Sequence, residues 1–181
     1  MEKTIMMASL LAMQTLAAQP LDVYFGTYDK DGFPKGIYHA VLDLKTGSLS
    51  SPELAATASN PTFLEIDPNS KFIYSVTERD PGMVSAFTID QETKRLRLIN
   101  SSKSCGKGPC HVSISADGKV LLVANYGSGS IASIPINKDG SLAEPASAIQ
   151  HTGSSVNPQR QKEPHAHSIN LSPDNRFAYV A

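Results

Sequence analysis

Apolar positions in this chain come in short β-branched and aromatic runs that Gly, Asn, Asp and Pro interrupt from Asp22 onward. That rhythm predicts strands joined by tight turns rather than helices. Three stretches align: residues 66–76 (IDPNSKFIYSV), 114–124 (ISADGKVLLVA) and 171–181 (LSPDNRFAYVA). Their starts at 66, 114 and 171 are 48 and then 57 residues apart, and residues 23–28 resemble the last part of the same unit. The middle unit reads as strand 110–115, a hairpin turn at Ala116-Asp117-Gly118-Lys119, and strand 120–125. The Asp-Gly pair suits the positive φ that such a turn needs. Gly127-Ser128-Gly129 turns the chain again, residues 130–137 alternate polar and apolar as a third strand, and Asp139-Gly140 is the next turn. Residues 142–150 supply a fourth strand, which Pro145 marks as an edge. Four short strands every ~45 to 50 residues is the pattern of a β-propeller blade. A sandwich built from hairpins gives no reason for Asp-Pro or Asp-Gly-Lys turns to recur at this period. The expected fold is therefore all-β, a propeller of four-stranded blades.

The longer second spacing comes from residues 153–164, a polar, Pro-bounded stretch without an apolar pattern, hence a loop. It delivers the chain to Pro164-His165-Ala166-His167 at the expected start of the next blade's first strand, the one that lines the central channel. At period two His165 and His167 share a side with Ile169 and Leu171. Two imidazoles at a channel mouth with Arg160 nearby make an anion and acid/base site. His-x-His is also a metal-ligand spacing, but no third or fourth ligand stands in a fitting arrangement. Both histidines could equally be structural, bonded to carbonyls between blades, and Arg160 a solvated loop charge. The string Gly127-Ser128-Gly129-Ser130 lacks the Gly-x-Ser-x-Gly elbow between strand and helix, so it does not argue for a serine nucleophile.

Asn125-Tyr126-Gly127-Ser128-Gly129-Ser130, Asn157-Pro158-Gln159-Arg160-Gln161, and Pro164-His165-Ala166-His167 followed by Ser172-Pro173-Asp174 together resemble the seven-bladed β-propeller lactonases, the 6-phosphogluconolactonase-like family. The likeness runs from about Val23 to Ala181 and includes Gly26-Thr27-Tyr28 and Asn60-Pro61. It implies a seven-bladed ring and hydrolysis of a cyclic sugar ester, 6-phosphogluconolactone first, without metal or other cofactor. Carried over residue by residue, His165 and His167 are candidates for the general base or for polarising the lactone carbonyl. Arg160 would hold a phosphate or carboxylate, and Asn125 and Tyr126 would bond sugar hydroxyls. His111, after Pro109-Cys110 at the equivalent strand start one blade earlier, is a weaker candidate. Two other functions stay open: a lactonising cycloisomerase running the chemistry in reverse, and a propeller that binds carbohydrate without catalysis.

Composition narrows this further. With 181 residues, 40% hydrophobic, 18% charged and a net charge of −1, the chain carries enough apolar material for a core. The charge balance excludes a dedicated nucleic-acid binder, and two cysteines exclude a disulfide scaffold. Cys105 and Cys110 flank Gly106-Lys107-Gly108-Pro109 and could be bridged or free. Lys3, the mostly apolar residues 5–16 and Ala17-Ala18 have the layout of a secretory signal over residues 1–19, too short for a membrane span. Export to the periplasm or beyond is expected if that leader works, and a cytoplasmic location otherwise. Residues 20–181 then hold three blades plus the start of the next, the N-terminal portion of a propeller that would be a monomer when complete. An open ring leaves blade faces uncovered, so these residues alone are expected to be poorly stable and inactive.

Overall fold

The structure, a computed structural model, describes residues 19–28 and 35–181. The expected leader falls almost wholly on residues 1–18 and lies outside them. Among the described residues all regular structure is β, and no helix is long and apolar enough to cross a membrane. Strands β1 (Leu21–Phe25), β2 (Ile37–Leu42) and β3 (Glu53–Ala56) form a three-stranded sheet in that order. β4 (Leu64–Ile66), β5 (Phe72–Thr77), β6 (Met83–Ile89) and β7 (Leu96–Lys103) form a four-stranded blade. β8 (Pro109–Ile114), β9 (Val120–Asn125), β10 (Ser130–Pro135) and β11 (Ser147–Gln150) form the next, and β12 (Ile169–Leu171) pairs with β13 (Ala178–Val180). Every adjacent pair is antiparallel, as hairpin connections require. This is the expected succession of blades.

Two strand boundaries and one strand start differ from expectation. β10 stops at Pro135, after which Ile136 and Leu142 make a single bridge around the Asp139-Gly140 turn. β11 covers only residues 147–150, because Pro145 has no N–H to give a ladder and pairing resumes beyond it. β12 runs from Ile169, the bonding to its partner continues back to His167, whose N–H donates to the Ala181 carbonyl at 2.8 Å, and His165 precedes the paired residues.

The second strand of each four-stranded blade shows why the blades stack. β5 and β9 are buried almost along their whole length. On β5, Ile73 packs with Ile37 and Ala55 of the first sheet, while Tyr74 and Val76 pack with Val112, Leu121 and Val123 of the following blade. On β9, Leu121 and Val123 face back to that blade, and Leu122 and Ala124 face forward to Ala166 and Ile169. Alternate residues thus serve two different neighbours, and each face of a blade stays exposed until its own neighbour is in place. Tyr74 ties the contact with a hydroxyl that donates to the Gly140 carbonyl at 3.0 Å, and burial pushes its phenol far above the ordinary range.

The repeated turn has one hydrogen-bonding plan. Ser115 Oγ accepts from the N–H groups of Lys119 (3.1 Å) and Val120 (3.0 Å) and donates to Asp117 Oδ1 at 2.7 Å. Ser172 and Asp174 reproduce it toward Phe177, at 3.0 Å, and Arg176, at 3.2 Å. One blade earlier the carboxylate of Asp67 replaces the hydroxyl, accepting from Lys71 and Phe72 at 2.6 Å each. Ser70, Gly118 and Asn175 take the positive-φ position, with φ of 55°, 70° and 56°. The bonds from Ser115 and Lys119 hold the Asp117 carboxyl at a pKa of about 2, below its ordinary 3.8.

That depression has a sign. Stability from Asp117 is complete above its unfolded value and is lost as pH falls from about 4 toward 2. Asp117→Asn is expected to lower the thermal midpoint at pH 7, and the gap to the parent should close over that acid window in a melting series. A second outcome concerns Gly129, whose φ is 62° and where a Cβ would lie 2.2 Å from the Pro164 carbonyl oxygen. Gly129→Ala should destabilise the full protein by about 1–3 kcal/mol in urea unfolding. An unchanged midpoint would show that the Pro164 segment does not rest on this turn.

Candidate functional site

The site grows out of the end of β9. Asn125 closes the strand and turns its side chain inward: it is 0% exposed, and its Nδ2 donates to the Ser104 carbonyl at 2.9 Å and Ser130 Oγ at 3.2 Å. It does not line the cleft, so the strand end is fixed from inside while the next residue, Tyr126, turns outward. Tyr126 stacks on His165 with ring centroids 4.5 Å apart and planes at 18°, and it meets the edge of His167 at 5.6 Å. Arg160 Nη2 donates to Tyr126 Oη at 3.1 Å. One aromatic ring therefore gathers three of the residues selected from the sequence.

Arg160 is presented by its own loop. The side-chain oxygen of Asn157 accepts the N–H groups of Gln159 (3.0 Å) and Arg160 (3.1 Å), while the Asn157 carbonyl accepts Gln161 N–H at 2.8 Å. Gln161 Oε1 closes the turn by accepting from Asn157 N–H at 3.0 Å. Asn before Pro158 is suited to such a turn. Arg160, Tyr126 and His165 line a cleft of about 460 Å³, together with Glu163 and the hydroxyl-bearing Thr152, Ser154 and Ser155. The last four were not selected from the sequence, since the loop carries no periodic pattern that sorts inward from outward residues.

Hydrogen bonds separate the histidines by tautomer. His165 Nδ1 lies 3.0 Å from the Tyr126 carbonyl. A carbonyl only accepts, so Nδ1 carries the hydrogen, and in the neutral ring Nε2 keeps its lone pair. His111, on β8, is the opposite case. Its Nδ1 accepts from Ile169 N–H at 3.4 Å, which leaves Nε2–H as a donor. Burial, and then the neighbouring His167, push the His111 pKa below its ordinary value, so this imidazole is neutral at pH 7. Phe63 packs on its ring at 4.2 Å. The His167 backbone N–H donates to the Ala181 carbonyl at 2.8 Å, which leaves its exposed ring between His111 and Tyr126.

Cys105 and Cys110 are free. The Cys110 thiol sits 3.3 Å from the His167 carbonyl, and burial followed by the charge of Glu78 raises its pKa. Among the described residues no group of three or more His, Cys, Asp or Glu side chains is arranged to hold a metal ion. Glu78 itself was not selected from the sequence. Its Oε1 accepts from the Tyr28 hydroxyl at 3.2 Å and its Oε2 from Thr62 Oγ1. Running the repeat two residues past Val76 and Ala124 aligns Glu78 with Tyr126, which is the signal that finds it.

Comparison with known proteins agrees with the blade architecture. The family description "Lactonase, 7-bladed beta-propeller" matches residues 22–181. The 6-phosphogluconolactonase of Bacillus subtilis is 38% identical over 155 residues, covering 85% of this chain and 44% of that protein. A Bacteroides fragilis structure, provisionally named a 6-phosphogluconolactonase, superposes with a TM-score of 0.84 at 34% identity, over 92% of this chain and 46% of that one. The periplasmic gluconolactonase of Pseudomonas aeruginosa superposes with a TM-score of 0.82 at 31% identity, over 90% and 47%. The chain thus spans about half the length of the relatives it matches. By blade architecture, by sequence and by superposition, it belongs to the seven-bladed β-propeller lactonase family.

Proposed function

We propose that the protein, with its ring closed, hydrolyses a sugar lactone to the open aldonic acid, with 6-phosphogluconolactone as the first substrate to test. The observation that carries this reading is the Tyr126 ring holding Arg160 and His165 on one cleft wall. The names of the Bacillus and Pseudomonas relatives support the reaction class.

A lactone is an activated ester, so opening it requires a deprotonated water and a partner for the oxyanion, not a covalent nucleophile. His165 suits the first task, because its Nδ1–H is engaged with Tyr126 and its Nε2 is left to take the water's proton. The water oxygen bonds to the carbonyl carbon, and the electron pair of the C=O bond moves to its oxygen. His111 presents an Nε2–H from a neutral ring, which suits it to stabilise that oxyanion, with His167 beside it. As the carbonyl re-forms, the ring C–O bond breaks and its oxygen takes the proton back from His165. Arg160 binds the phosphate or carboxylate of the substrate, and Tyr126 fixes the guanidinium through its hydroxyl. Asn125 acts as a positioning residue from beneath the strand end. We also propose that residues 1–19 direct export, a reading that the periplasmic relative supports.

The kinetic test uses the full protein with 6-phosphogluconolactone and glucono-δ-lactone. His165→Ala should lower kcat for both by about 10²–10⁴-fold. Arg160→Ala should raise KM for the phosphorylated lactone by about 10–100-fold and for the neutral one much less. Unchanged rates in both variants would overturn the site. For export, intact-mass measurement of the secreted protein should show cleavage near Ala17 to Gln19, and a retained Met1 would contradict it.

A further inference from the structure

Glu78 directly follows β5, as Tyr126 directly follows β9. It is held at both ends. Its N–H donates to the Asn60 carbonyl at 3.2 Å and its carbonyl accepts Asn60 Nδ2 at 3.4 Å, while the hydroxyls of Tyr28 and Thr62 each take one carboxylate oxygen. Tyr28 lies beyond β1, so the clasp joins the first sheet to the second.

Glu78 is continuous with the candidate site. Thr62 precedes Phe63, whose ring packs on His111, and His111 neighbours His167, which meets the edge of Tyr126. The backbones are linked as well: Gly108 N–H donates to the Arg79 carbonyl at 2.9 Å, and the Gly108 carbonyl accepts Tyr126 N–H at 2.9 Å. Between the two sits Cys110, whose thiol responds to the Glu78 charge and lies 3.3 Å from the His167 carbonyl. The result is a chain of contacts across successive blades, with an oriented carboxylate at one end and Arg160 at the other.

We propose that Glu78 is a substrate-binding residue of this site, accepting hydrogen bonds from the hydroxyls of a polyhydroxylated ring. It thereby makes the site select sugar lactones over unsubstituted ones. The inference rests on the lactonase reading and adds a residue and a selectivity to it. Each carboxylate oxygen has room for about two donors, and among the described residues each takes one hydroxyl. Tyr28 and Thr62 fix the direction of those acceptors, so the side chain needs no reordering when substrate arrives. A sugar hydroxyl makes a charge-assisted bond there; a lactone without hydroxyls makes none and leaves the carboxylate to Tyr28, Thr62 and water.

The test compares the full protein with its Glu78→Gln and Glu78→Ala variants on glucono-δ-lactone and δ-valerolactone, with calorimetric binding of gluconate as a readout independent of turnover. For the sugar lactone KM should rise by about 10–100-fold with kcat little changed. The δ-valerolactone parameters should stay put, and gluconate affinity should fall by the same factor. A clasp that only joins two sheets would lower the melting temperature and affect both lactones equally. An unchanged ratio between the two substrates in both variants overturns the proposal, whatever the melting temperatures. Should the parent protein turn over neither these two lactones nor 6-phosphogluconolactone, the hydrolase reading fails and gluconate binding decides the matter alone. Weaker binding in Glu78→Gln supports the role, and equal or absent binding in the parent overturns it.

Discussion

Both faces of β5 and β9 are apolar, and each face belongs to a different neighbour. A strand of this kind cannot finish burying itself within its own sheet, so the blades must stack. Stacking brings the innermost strands β4, β8 and β12 side by side, and with them the segments that enter those strands. Thr62-Phe63 and His165-Ala166-His167 are such segments, and Cys110-His111 stands at the start of β8 itself. The chemistry of this chain is gathered by the same constraint that builds its core: polar residues that share a rim because the apolar residues behind them share an interior.

The interblade packing also sets the state of the site. The His165 tautomer is fixed by the backbone carbonyl of Tyr126 in the preceding blade. The His111 tautomer is fixed by the backbone N–H of Ile169 in the following sheet. In each case a main-chain group from one unit selects which nitrogen of another unit's imidazole carries the hydrogen. Protonation roles are thus a consequence of blade docking. A shift in docking would alter those roles before it removed any side chain from the site.

Most of the fold was legible because its signals are local. The Ser-x-Asp turns, the positive-φ residue three positions after Ser115 and Ser172, and the alternation of β10 all lie within a few residues of what they determine. Strand ends were less legible where pairing depends on a partner: β11 pairs only over residues 147–150, opposite Ser130 to Ser133 of β10. In the site, Arg160, His165, His167, Tyr126 and His111 were visible as residue types in a family-like order. Asn125 was visible too, but not the direction of its side chain, which depends on Ser104 across the blade boundary. Glu78 was hidden because its partners Tyr28 and Thr62 are 50 and 16 residues away, and the aligned repeat stopped two positions short of it.

Tyr126 shows how little sequence a propeller needs to convert a packing position into a functional one. Its backbone is fixed by Gly108 on one side and by the end of β9 on the other, so the ring has a defined exit from the blade. Gly127 and Gly129 then turn the chain away tightly enough for Pro164 to cross close to Gly129, at a distance that leaves no room for a Cβ. That crossing brings His165 over the Tyr126 ring, and the Asn157 turn upstream brings Arg160 to its hydroxyl. The equivalent position one blade earlier carries Glu78, held by hydroxyls instead of aromatic stacking. The same structural position thus carries an aromatic platform in one blade and a carboxylate held by hydroxyls in the blade before it. Side-chain chemistry changes between these two positions, while the strands that lead to them, β5 and β9, are alike in being buried almost along their whole length.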